Sequence, residues 1–311
     1  MKKTQLKGPL ILLLTAFIWG TSFVAQSVGM EKIEAFTFNG IRTLMGAAAL
    51  IPFIVIQRIK EKKSCASPPP FVTKKLLLHG AIIGICLCVA SNFQQQAFNF
   101  SSSGKIAFIT AFYMLFVPVF GLFIGKKINI PMVAGVLVGA VGLYLLCIPA
   151  NGIGEINKGD ILSFICSIFF AIHILVVEKL ADGYDSIKIS FIQFAVSGAI
   201  SCIIMTFTET PCLTDINNAI LPLLYSGVMS CGAAFTLQII GQKYTDATLA
   251  GILMCMESVF GVITGAIVLH ERMSGRETIG CIIMFAAIII TQLLGFKQDE
   301  KKSDKSQKIQ N

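Results

Sequence analysis

Charged side chains are scarce in this chain. Asp, Glu, Lys and Arg together make up 14% of its 311 residues, where a soluble domain carries about a quarter. That scarcity excludes a globule solvated by water on all sides. Also missing are the local patterns on which many enzymes are built: there is no His-Glu-x-x-His pair, no Gly-x-Ser-x-Gly elbow and no glycine loop that would cradle a phosphate. Without a nucleotide loop, ATP drive from this chain is excluded, and an intramembrane enzyme is the least supported class. The histidines number three and no Cys/His set has metal-ligand spacing, so neither a metal nor a cofactor is expected.

What fills the chain instead is apolar: the residues AVILMFWYC account for 55%, and the mean hydropathy is +0.78. A helix needs about 20 apolar residues to cross the hydrocarbon core. The candidates are residues 9–29, 34–57, 76–98, 104–125, 130–149, 160–180, 188–208, 219–242, 247–270 and 275–296, taken here as helices one to ten. They are continuously apolar and do not alternate, which favours helices over barrel strands. The division between helices three and four is the softest, because residues 99–103 are short and only weakly polar.

Lys and Arg set the orientation, since cytoplasmic loops retain an excess of them. With the N-terminus inside, the inner segments hold Lys2, Lys3, Lys7, Arg58, Lys60, Lys62, Lys63, Lys74, Lys75, Lys126, Lys127, Lys179, Lys188, Lys243 and the tail lysines 297, 301, 302, 305 and 308. The outer segments hold only Lys32, Lys105, Lys158, Arg272 and Arg276. Both termini are therefore expected in the cytoplasm, in a bacterial-type cytoplasmic membrane. The net charge of +8 follows from this topology and needs no nucleic-acid partner. The tail, 297–311, reads as disordered and solvated, and residues 60–70 as a basic, proline-bearing cytoplasmic loop. The basic, apolar N-terminus is retained as helix one, because its apolar run is too long for a signal peptide.

The two halves repeat each other. In the register i to i+151, Trp19-Gly20 falls on Phe170-Ala171, Arg42 on Gln193 and Ala48 on Ala199. In the register i to i+144, Gln94 falls on Gln238, Ser101 on Thr245, Tyr113 on Glu257 and Gly121 on Gly265. One further shift brings Gly135 onto Gly280. Five spans per half is an odd number, so the second half must lie upside down relative to the first. Inverted repeats of this kind place a substrate site between the halves near the bilayer midplane. The expected organisation is a cytoplasmic N-terminus (1–8), two five-helix repeats (9–150 and 151–296) and the tail.

Eight of the ten cysteines lie within spans and read as small packing residues, leaving Cys65 and Cys212 in loops on opposite sides. Gly135, Gly139 and Gly142 form a narrow stripe, and Gly80/Gly84, Gly121/Gly125 and Gly261/Gly265 are spaced four apart. Such spacing lets helix backbones approach, within one monomer or across a homodimer.

Polar residues inside the spans are costly in lipid and mark candidate function. Glu257 lies midway along helix nine. A carboxyl in a low-dielectric site favours its neutral form and can exchange a proton with a water-filled cavity; the alternative is a protonated or hydrogen-bonded tie between helices. Arg42, in the outer third of helix two, could be a counter-ion or hold an anionic substrate group, or it could snorkel to the surface or cap carbonyls. Of Gln94, Gln95 and Gln96, at most two can line a pathway, and Gln94 has Gln238 as repeat partner. Tyr113 and Thr110 offer hydroxyls on helix four at the depth of Glu257. His173, with Glu178, could relay protons or simply pack. His79 and His270 lie near span ends, where solvent is expected. Trp19, the only tryptophan, sits deep in helix one, as a packing or cavity-wall residue would.

In this order, several stretches resemble the drug/metabolite transporter superfamily in its EamA-type branch. They are Trp19-Gly20-Thr-Ser-Phe-Val, Phe38-Asn39-Gly-Ile-Arg42, residues 102–110 leading to Pro118, Gly139-Ala-Val-Gly142-Leu-Tyr144, residues 237–244, Glu257-Ser258-Val259-Phe260 and residues 270–274. The resemblance covers residues 9–296. It implies an all-α integral membrane fold of ten transmembrane helices, two inverted five-helix repeats around a central cavity. It further implies export of a small organic solute (an amino acid, metabolite or drug) by alternating access, with protons as coupling partner in some members. A passive facilitator or lipid flippase is the alternative. Ser258 stands where the family usually has proline, so helix nine is expected to lack a built-in kink.

Overall fold

In hydrocarbon, each backbone N–H and C=O must be satisfied within its own segment or by a closed barrel. The computed structural model describes residues 2–64, 70, 72–101, 103–126, 130–148, 151–152, 155–268 and 274–290, and among these it is helical throughout, with no strand. In chain order the helices are α1 (Lys2–Met30), α2 (Ala35–Ser64), α3 (Lys74–Ala97), α4 (Ser103–Thr110), α5 (Tyr113–Phe123), α6 (Ile130–Cys147), α7 (Lys158–Leu180), α8 (Ser186–Thr208), α9 (Leu213–Asn218) and α10 (Ile220–Leu224). A π-helical segment (Tyr225–Phe235) follows, then α11 (Thr236–Gln242), α12 (Ala247–Met254) and α13 (Met256–Val268). Residues 275–290 form α14.

Eight of these stretches are long and apolar enough to cross a membrane. They are α1 from Leu6, α2 to Lys63, α3, α4 with α5, α7, α8, α10 through α11, and α12 into α13. The helix α6 has 18 residues, which reach about 27 Å at the α-helical rise, and α14 is shorter still in its described part. Leu10, Leu14, Phe53, Leu78, Phe207 and Ile282 stand exposed on the outer surface, the sheath expected of a protein solvated by lipid. Between the spans, polar caps stop the helices. Thr73 accepts from the Leu76 N–H, Asn157 and Asp160 form a capping box, Asp185 accepts from Ile187 and Lys188, and Asp246 from Thr248.

Four features depart from the sequence reading. The first is α2, which runs on to Ser64 where a loop from residue 60 was expected. It is stabilised there by Glu61, which accepts from Arg58 one turn back and from Lys188 at the start of α8, at 3.2 and 2.9 Å. Helix nine is not continuous either. It breaks at Cys255 between α12 and α13, one turn before Ser258, so the missing proline does not leave it straight. Helix four breaks likewise at Ala111-Phe112 between α4 and α5. In helix eight, eleven residues are wound as a π-helix. Cys65, His270 and the tail 297–311 lie outside the described residues.

Pairwise packing builds the bundle: α2 lies on α8 and on the π segment, α3 on α7 and α8, and α1 on α13. Close crossings use glycine. A Cβ on Gly142 of α6 would lie 3.1 Å from the Gly280 carbonyl, and one on Gly280 of α14 would lie 2.7 Å from the Leu146 amide nitrogen. The stripe on α6 thus seats α14 against it at van der Waals distance.

Candidate functional site

Two helix breaks meet at the centre of the molecule. In the register i to i+144, Ala111 corresponds to Cys255, and the Cys255 thiol donates to the Ala111 carbonyl at 3.7 Å. Two residues on in each half, the Tyr113 hydroxyl donates to Glu257 Oε1 at 3.3 Å. Neither break contains proline; each is a short tightened turn, with Phe112 N–H bonding to the Ile109 carbonyl and Ser258 N–H to that of Cys255. Glu257 is 6% exposed. Gly20 of α1 lies directly against its turn, so close that a Cβ there would sit 2.5 Å from the Glu257 carbonyl oxygen.

Around this crossing is a narrow chamber of about 40 Å³. Seven of the eight residues selected from the sequence line it: Glu257, Tyr113, Arg42, Gln94, Gln238, Trp19 and Thr110. Trp19 closes one wall, its indole N–H directed at the Ser230 carbonyl at 3.4 Å and its ring 4.6 Å from that of Phe235. His173 is not brought to the chamber. Fully buried, it hydrogen-bonds Gln193 at 3.3 Å and packs edge-on against Phe235. Glu178 does not join it, being tied to Lys126 and to the Ala247 N–H. Of the three glutamines, Gln94 lines the chamber, Gln96 faces a separate lateral crevice and Gln95 is buried between them. Arg42, 4% exposed, does not snorkel. His79 is half-buried, bonded to the Leu180 carbonyl and packed on Tyr184, so it meets solvent in part.

The sequence reading missed Phe23, Gln26, Ser91, Phe170, Ile174, Ser230, Phe235 and Met254, which complete the lining. A signal for most of them was present. Under the same two registers, Trp19 pairs with Phe170, Phe23 with Ile174, Ser91 with Phe235, Gln94 with Gln238, Thr110 with Met254 and Tyr113 with Glu257. The wall is therefore built of six register-matched pairs, and only Gln26, Arg42 and Ser230 lack a counterpart in it.

A second, larger cavity of about 530 Å³ adjoins the chamber and shares Phe23 and Glu257 with it. It extends to Glu31, Ser103, Cys147 and Glu277 at one end of the helices, where Glu31 is exposed. At the opposite end the helices are tied together by charge. Lys126 bridges Glu178 of α7 and Asp246 ahead of α12, at 2.5 and 2.9 Å. Burial draws the Lys126 ammonium down, but its hydrogen bonds to the two carboxylates outweigh this and hold it above its ordinary value.

Membrane-length helices enclosing a chamber of aromatic and polar side chains, with a second cavity beside it at one end of the helices, define an integral membrane protein. The chain belongs to the EamA-like transporter family, whose sequence model matches it twice, over residues 6–148 and 157–293. It is a membrane transporter of small solutes. An uncharacterized transporter of Archaeoglobus fulgidus is 26% identical over 291 residues, covering 93% of this chain and 87% of its own. The uncharacterized transporter YoaV of Bacillus subtilis is 23% identical, covering 92% and 97%. The chloroplastic WAT1-related protein At3g02690 of Arabidopsis thaliana is 21% identical, covering 90% and 68%. A solved crystal structure shares the fold with a TM-score of 0.76 at 19% identity, covering 94% of this chain and 98% of its own.

Proposed function

We propose that this protein is a secondary transporter that moves a small organic solute, an amino acid, metabolite or drug, through the central chamber by alternating access, with Glu257 as its coupling carboxyl. The observation that carries this reading is the position of Glu257: it belongs to the walls of both cavities, so one group meets the solute and the water-filled route to the surface. Ten spans in two inverted five-helix halves, 9–150 and 151–296, make the arrangement intelligible. The double family match and the six register-matched pairs in the wall support it, and α6 and α14 serve as the fifth and tenth spans. In this reading the Lys126 tie and both termini lie in the cytoplasm and the open cavity outside, an orientation that the lysine and arginine distribution favours. Export is the direction the family resemblance suggests.

The test is transport by the full-length protein in proteoliposomes, screened with amino acids, nucleosides, carboxylates and cationic drugs under an imposed pH difference. Glu257→Gln keeps the shape and hydrogen bonding and removes the titratable group, whereas Glu257→Asp keeps it on a shorter arm. Gln is expected to lower pH-driven accumulation at least tenfold while leaving solute exchange measurable, and Asp to retain part of it. Accumulation by the Gln variant equal to wild type, with the same pH profile, would remove Glu257 from the coupling. Transport that ignores the pH difference in the wild type would favour a passive facilitator or a flippase.

A further inference from the structure

Three residues of the chamber wall, Gln26, Arg42 and Ser230, lack a lining counterpart in the other half, and Arg42 alone among them carries a permanent charge. Arg42 corresponds to Gln193, which is buried against His173 and does not line the chamber. Packing at this depth is thus satisfied in the second half by a neutral amide, and the fold itself does not require a guanidinium there.

Neutral groups hold Arg42 in place. Its Nε donates to Asn39 Oδ1 at 3.0 Å, and its guanidinium lies over the Phe38 ring at 5.6 Å. Asn39 is fixed in turn by its own amide nitrogen, which donates to Asn92 Oδ1 at 2.8 Å, Ser91 Oγ at 3.1 Å and Ser201 Oγ at 3.4 Å. Asn92 is anchored by the Cys88 carbonyl and Ser201 at 2.9 and 2.8 Å. Residues from α2, α3 and α8 therefore orient one side of the guanidinium. Its terminal nitrogens have no acceptor among the described residues. Nor does any described carboxylate pair with it: the ion pairs there use Glu61, Asp160, Glu178 and Asp246. Glu257, the other ionisable group that acts in the chamber, is engaged with Tyr113.

A guanidinium does not lose its charge at any accessible pH, and a buried charge with no counter-charge is costly. Its planar fork matches a carboxylate with two parallel hydrogen bonds. We infer that Arg42 is the anion subsite of the transport chamber, that Asn39 is its positioning residue, and that the cargo is a small organic carboxylate. The carboxylate oxygens sit on the terminal nitrogens of Arg42, and the apolar body lies against Trp19 and Phe235. This inference rests on the chamber being the transport site.

Trp19 is the only tryptophan in the chain and lines the chamber, so its fluorescence reports occupancy without a label. Cyclohexanecarboxylate, cyclohexylmethanol and cyclohexylmethylamine share a ring that does not absorb and differ in charge. Titrated into the purified full-length protein, the carboxylate is expected to bind at least tenfold more tightly than the alcohol, with the amine weakest. Arg42→Gln should remove that preference, and Arg42→Lys should keep part of it. Asn39→Leu, which leaves the cation in place but frees its orientation, should reduce the preference several-fold and covers the case in which Arg42→Gln fails to fold. Equal binding of the three ligands, preference for the amine, or full preference in Asn39→Leu together with a folded Arg42→Gln would overturn the inference. Because binding is measured at equilibrium, the two readings fail separately. Carboxylate preference alongside unimpaired pH drive in Glu257→Gln would sink only the coupling role, and lost pH drive without carboxylate preference would sink only the subsite.

Discussion

Gly20 shows how narrowly single positions define the chamber. A Cβ there would lie 2.5 Å from the Glu257 carbonyl oxygen and 2.7 Å from the Phe260 Cβ, atoms of a helix that cannot swing aside. Gly20→Ala must push α1 off α13, an overpacking cost of about 1–3 kcal/mol. At Gly261, across the same contact, the nearest atom would be 3.5 Å away, an ordinary separation. Thermal unfolding of the two variants in detergent should show Gly20→Ala clearly destabilised and Gly261→Ala close to wild type; equal behaviour would mean the crossing is looser than described. At the far end, Lys126 bears on how pH effects are read. Its folded value lies above its ordinary one, so the stability it contributes is fully present below the ordinary lysine value, about 10.4, and is lost only as pH rises through the folded value. A pH profile between 6 and 9 therefore leaves this tie charged, and changes in that window come from elsewhere.

Among the elements, the broken helices α4/α5 and α12/α13 set the geometry. Their interruptions face each other through Cys255 and the Ala111 carbonyl, and broken helices at the midplane are where transporters place binding groups. If the two breaks move past each other as the halves rock, tying them should stop the cycle. Ala111→Cys, oxidised against the native Cys255, is expected to halt transport and a reductant to restore it. Full activity of the cross-linked protein, verified by mass spectrometry, would make the crossing static. How much of this was legible in the chain varies element by element. Continuous apolar runs marked the eight stretches that are long enough to cross a membrane, and the 144-residue register pairs Tyr113 with Glu257 and Gln94 with Gln238. The breaks were not legible, because neither carries proline or glycine at the interruption; they arise where two helices press on each other. The π winding of Tyr225–Phe235 was hidden for a similar reason, since it is fixed by neighbours: Gly227 lies against Arg42 and Met45 of α2, and Gly46 of α2 lies against Cys231.

For the molecule as a whole, the orientation is the property that distribution of charge alone assigns. Cys212 is exposed in the connection after α8, which lies outside in the proposed orientation, whereas position 65 falls on the inner side of it. A membrane-impermeant maleimide applied to intact cells is expected to modify Cys212 and spare Cys65, and the reverse pattern would turn the protein over in the bilayer. His173 marks the limit of reasoning from isolated polar residues: nothing in sequence separates a histidine satisfied by Gln193 from one facing water, whereas the repeat carried information about both halves at once. The two cavities, finally, differ in size more than tenfold, about 530 against 40 Å³. If cargo takes the proposed route, the inner room as it stands is a closed fist with space for about three waters, and its walls must part before any solute can be held there.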